Sequence, residues 1–88
     1  MNNTRRKQIE NIKARIVALL GEAENIKADI ETIRDEEQEY RDNMPESLAE
    51  GEKAERADAA ITELEQVIED LDSLIDNDFD GPLTTAAE

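Results

Sequence analysis

From Ile9 to Ile33 the chain never skips a beat: Ile9, Ile12, Ile16, Leu19, Ala23, Ile26, Ile30 and Ile33 are separated by alternating steps of three and four. That spacing is the seven-residue repeat of a helix winding against a partner, and it does not fit the two-residue alternation of a strand. With Ile9 taken as position a of the repeat, Ile12 is position d. Val17 and Leu20 widen the stripe beyond a strict a/d seam, as expected for a helix that touches more than one neighbour. Asn3 or Thr4 is the expected N-cap, giving a helix over residues 4–42 that stops at Asn43-Met44-Pro45. Gly21 weakens it by roughly 1 kcal/mol relative to alanine.

A second segment repeats the pattern through Ala54, Ala57, Ile61, Leu64, Ile68, Leu71 and Ile75, with Val67 and Leu74 at its edge. This predicts a helix over 52–76, a connector over 43–51 and an acidic tail over 77–88. Within the connector, Pro45–Glu50 is read as one helical turn, stopped by a left-handed Gly51. In the alternative reading Asn43 caps the second helix directly. A connector this short folds the two helices antiparallel, with Ile33 near Leu64, Ile26 near Leu71 and Ala23 near Leu74 or Ile75. The first helix is ~58 Å long and the second ~37 Å, from the rise per residue. Ile9, Ile12 and Ile16 therefore overhang and need a cover. A folded-back tail carrying Phe79 and Leu83 offers two large side chains; a second copy of the chain offers more. The expected fold class is all-α: a two-helix antiparallel hairpin with coiled-coil-like heptads, one domain over 1–88, assembling into a homo-oligomeric helical bundle.

The composition limits what such a bundle can do. Of 88 residues 39% are charged and 2% aromatic, and there is no cysteine or histidine. That removes disulfides, thiolate chemistry, the usual neutral-pH base and the commonest transition-metal ligand. Neither a nucleophile with its base nor a carboxylate pair in a shaped cleft is legible, so no enzyme and no cofactor are expected. No apolar run is long enough to span a membrane, and the expected location is the cytoplasm. The net charge of −14 is segregated: residues 1–41 carry −1 and residues 42–88 carry −13. Such a surface repels nucleic-acid backbones and anionic membranes, and could attract a basic protein groove.

The apolar repeat breaks within RDEEQEYRDNMPESL, residues 34–48. There Glu37 takes position a and Tyr40 position d, opposite Ala54, Ala57 and Ala60 across the hairpin. A carboxylate in a dry seam costs several kcal/mol unless it is wet or paired. In one reading the tip is solvated and Tyr40 packs on the alanines. In the other, Arg34, Glu37, Tyr40, Arg41, Asn43 and Arg56 surround a polar cleft, in which guanidinium groups meet a phosphate or carboxylate and the tyrosine ring meets a base. The expected partner is then a small anionic ligand such as a nucleotide. A further motif, Asp76-Asn-Asp78-Phe-Asp80-Gly81, matches the opening of a calcium loop, but position 87 is alanine where a bidentate glutamate should close it. No metal site is therefore expected.

Residues 34–48, with their DN-x-PESL connector, and the following ERADAAITELEQVIEDLD resemble segments of small acidic helical proteins of unknown function encoded by phages and prophages. The resemblance covers residues 5–76. It implies an accessory protein acting in the cytoplasm of a bacterial host, of the kind that counters host defence by inhibition or by sequestering a nucleotide immune signal. Three expectations follow: an oligomeric bundle that sequesters a small anionic ligand, an acidic nucleic-acid mimic that docks on a basic host protein, and a structural coiled-coil adaptor.

Overall fold

The computed structural model covers residues 1–88 and contains only helices: α1 (Asn3–Asp42), α2 (Glu46–Ala49), α3 (Glu52–Asp76) and α4 (Asp80–Ala86). The molecule measures 69 × 16 × 14 Å, with a radius of gyration of 20.3 Å. A compact domain of this length would have one of ~12 Å. The difference arises because α1 runs nearly the full length and α3 and α4 lie along it in succession.

Local chemistry sets the helix ends. Asn2, rather than Asn3 or Thr4, caps α1 by accepting a hydrogen bond from the Arg5 N–H at 2.8 Å. Met44-Pro45 stops it, since proline lacks an N–H and disfavours helix in the residue before it. The Asn43 and Met44 N–H groups close the last turn on Glu39 O and Arg41 O. Gly51 does not take the left-handed conformation expected of it. With φ −89° and ψ −179° it is extended and forms the N-cap of α3.

The register of α1 on α3 is read from two ion pairs, Lys27 with Asp72 and Arg41 with Asp58. As the residue number rises on α1, that of its partner falls on α3. The interface differs from the a/d seam expected from the sequence. Ile9, Lys13, Ile16, Leu20, Lys27, Ile30, Arg34, Glu37, Arg41 and Met44 are half-buried and Ala23 is buried, so α1 turns positions a and e toward its neighbour. The cationic e residues explain the rotation: their alkyl stems lie along the interface while their heads reach carboxylates at its edge. The fully buried core is small: Ala23, Ala54, Ala57, Ile61 and Ile68.

The acidic tail over 77–88 contains a helix of its own, α4. The chain turns at Asn77 and folds α4 back on α1. Pro82 lies in the first turn of α4, where a missing N–H is tolerated, and Asp78 Oδ1 accepts the Gly81 N–H at 3.0 Å. Lys13 holds the segment by pairing with Asp80 at 3.1 Å and donating to Thr84 at 2.8 Å. Arg6 donates to the carbonyls of Ala87 and Glu88. Phe79 and Leu83 lie over Ile16 and Leu20 beside a cleft of about 130 Å³ that Val17, itself 71% exposed, also lines. Part of the overhang of α1 is thus covered from within the chain.

Candidate functional site

The six residues expected to form one polar cleft are dispersed over three sides of the molecule. Tyr40 and Asn43 line an open cleft of about 570 Å³ together with Glu36, Glu39, Leu48 and Lys53. The only cation lining it is Lys53. Arg41 lies one residue further round α1, on the α3-facing side, where its Nε donates to Asp58 Oδ1 at 2.9 Å and its Nη2 to Ala49 O at 3.2 Å. It ties the α2 turn to α3. Arg34 is bound to Asp35 by Nε at 3.1 Å and Nη2 at 2.9 Å. Glu37 is half-buried between the helices. Arg56 pairs with Glu52 on its own helix and is largely exposed, facing away from α1. The guanidinium cluster inferred from sequence spacing therefore does not converge within one chain. Each arginine has found a nearer carboxylate, which a chain with 24 acidic side chains supplies everywhere.

The calcium-loop motif disperses in the same way. Asp80 is committed to Lys13 and Asp78 to the Gly81 N–H. No three acidic side chains are grouped to hold a metal ion, and no helix is long and apolar enough to cross a membrane.

A different feature dominates the surface. Turning positions a and e inward leaves every d residue of α1 outside: Ile12, Leu19, Ile26, Ile33 and Tyr40 are 42–56% exposed. They recur every seven residues along one line. On α3 the row Ala60, Val67, Leu74 also recurs every seven residues, with Val67 and Leu74 exposed by 42% and 36%. In the register set by the ion pairs, Tyr40, Ile33 and Ile26 lie abreast of Ala60, Val67 and Leu74. Helical geometry puts both rows on the same face of the helix pair. The opposite face carries the e-position cations and their acidic partners. The protein is therefore two-sided, apolar along one face and salt-bridged along the other.

Toward the N-terminus the apolar face opens into a groove of about 470 Å³ lined by Ile12, Arg15, Ile16 and Leu19. Five large apolar or aromatic side chains at heptad spacing form a larger patch than isolated surface hydrophobes do. The sequence contained this signal, since the d row was part of the predicted seam. It did not reveal that α1 packs on α3 through rows a and e and leaves row d exposed. The pKa of the Lys27 ammonium is raised above its ordinary 10.5, chiefly by its hydrogen bond to Asp72, with burial opposing and the charges of Asp72, Glu31 and Asp76 assisting. That group belongs to the salt-bridged face and is structural. Comparison with protein-family models, curated proteins and solved structures finds no match for the chain.

Proposed function

We propose that the protein is a non-catalytic binding protein: an antiparallel helical hairpin that assembles with copies of itself through its apolar face into a homo-oligomeric bundle. The single observation that carries this is the exposed row Ile12, Leu19, Ile26, Ile33 and Tyr40. From Ile12 to Tyr40 the row is ~42 Å long, and the α3 row lies beside only its Ile26–Tyr40 half; at ~10 Å per helix the face offers ~600 Å² per copy, the low end of what each partner contributes to a specific interface. The small core supports the same reading, because chains this short are marginal without further burial. Sedimentation equilibrium tests it. The expected mass is a multiple of 9.9 kDa, falling on dilution; a single 9.9 kDa species at hundreds of micromolar would refute assembly.

A second reading concerns what the assembly binds, and the Tyr40 cleft favours it. The cleft offers an aromatic face, the Asn43 amide and the Lys53 ammonium, a set suited to a ring-bearing ligand with an anionic group. The resemblance to small acidic phage and prophage proteins supports a role in sequestering such a ligand, a nucleotide signal of host defence, in the bacterial cytoplasm. Arg34 and Arg41 would join the site only by leaving Asp35 and Asp58. A thermal-shift panel of cyclic and ADP-ribose-type nucleotides tests this, since a ligand at 100 times its Kd adds ~2.7 kcal/mol of stability. A panel without any shift would refute the ligand reading and leave assembly standing.

A further inference from the structure

Resting on the self-association proposed above, we infer that the second copy lies end for end along α1. A twofold axis crosses the helix at Ile26, and the partner's Arg15 completes the Tyr40 cleft. The exposed row is symmetric about Ile26. Leu19 and Ile33 are seven residues to either side, and Ile12 and Tyr40 fourteen. Reversing one copy about that point sets Ile26 on Ile26, Leu19 on Ile33 and Ile12 on Tyr40, so every apolar side chain of the row meets another.

Charge selects this arrangement over its competitors. The row flanking the apolar line on its outer side is Arg15, Glu22, Asp29 and Glu36. If the two α1 helices ran in the same direction, a lengthwise twofold would set each of these charges against the partner's a row, largely the apolar Ile16, Ala23 and Ile30, and leave all four without an opposite charge. If α1 packed on the partner's α3 about a lengthwise axis, Glu36 and Asp29 would approach the partner's Glu63 and Asp70, like on like. In the end-for-end arrangement Arg15 meets Glu36 twice by symmetry, and only the Glu22–Asp29 contacts repel. Neither Arg15 nor Glu36 has an ion-pair partner within its own chain, so both are free to pair in trans, as Arg5, Lys7 and Lys53 also are. The arrangement also lays the open groove at Ile12, Arg15, Ile16 and Leu19 over the cleft at Glu36, Glu39 and Tyr40, one bearing a cation and the other two carboxylates. The cleft, whose only cation within its own chain is Lys53, gains a second in trans.

The chain lacks cysteine, so single cysteines report the geometry by disulfide formation. Ile26→Cys is expected to cross-link with itself. Leu19→Cys and Ile33→Cys are each expected to cross-link with themselves at least tenfold less, yet to form a mixed dimer when combined. Arg15→Glu should weaken association several-fold, and adding Glu36→Arg should restore it. Efficient self-cross-linking of Leu19→Cys and Ile33→Cys would overturn the proposal in favour of parallel α1 helices. A mixed dimer of Ile33→Cys with Val67→Cys would overturn it in favour of α1 on α3. In both cases self-association survives. A wild-type protein that is monomeric by light scattering would remove both.

Discussion

Ile33→Glu separates the two faces of the molecule. In the single chain Ile33 is 52% exposed, on a helix where glutamate is a better former than isoleucine. The substitution should therefore change the stability of an isolated hairpin by only about 0.5 kcal/mol. In the proposed assembly the unburied half of the side chain would be covered. Full burial of an isoleucine contributes ~1.5–3 kcal/mol, so the remaining half contributes ~1 kcal/mol, and two copies ~2 kcal/mol. Glutamate also brings a carboxylate into an apolar seam, which adds at least ~2 kcal/mol unless it finds a partner. Together these amount to ~4 kcal/mol, or a Kd raised ~10³-fold. Sedimentation velocity across a dilution series, with far-UV circular dichroism of the same samples, reads both quantities. The variant should sediment as a single chain where the wild type is associated. If Ile33→Glu sediments as the wild type does over the whole series, the exposed row is not the interface and the reasoning fails.

Four further outcomes follow from individual contacts. Gly21 is solvent-facing, with nothing within 4 Å of an added Cβ, so Gly21→Ala should raise the stability by ~0.5–1 kcal/mol, seen as a higher Tm with an unchanged sedimentation coefficient. Lys13→Ala removes the contacts to Asp80 and Thr84; amide exchange over residues 83–87 should accelerate while that of residues 61–71 stays slow. Arg41→Ala removes the tether between α1 and both Ala49 and Asp58, at a cost of ~1 kcal/mol for these partly exposed bonds. Because the pKa of Lys27 is raised in the folded state, its contribution is fully present below the ordinary lysine value of 10.5 and is lost as pH rises through the folded value. The Tm difference between wild type and Lys27→Met should accordingly shrink only above pH 10.5, and a difference that vanished near neutrality would contradict this pairing.

Helix was legible from spacing alone because helical periodicity is local. Residues three and four apart share a face in whatever fold they enter, and Met44-Pro45 stops a helix with no help from its surroundings. The choice among adjacent rows of α1 was not local. Rows a, d and e lie side by side, and the apolar pattern is compatible with facing α3 through a/d or through a/e. Asp58 and Asp72, on the other helix, decide it by drawing Arg41 and Lys27 inward and leaving Ile12, Leu19, Ile26, Ile33 and Tyr40 outside. The fate of the tail was equally non-local: Asp80 and Thr84 order α4 only because Lys13 is brought beside them.

The same distinction explains the candidate site. The sequence placed Arg34, Tyr40, Arg41 and Asn43 on neighbouring turns, and that is correct for the helix. Whether those side chains converge depends on which carboxylates stand closer, and only tertiary packing sets that competition. Its outcome left Tyr40 and Asn43 in an open cleft and bound the arginines to Asp35 and Asp58. By itself the sequence determined two rods and the break between them. The tertiary structure decided which side of the longer rod was left uncovered, because Asp58 and Asp72 satisfy the cationic edge within the chain while no element of the chain lies over the apolar row.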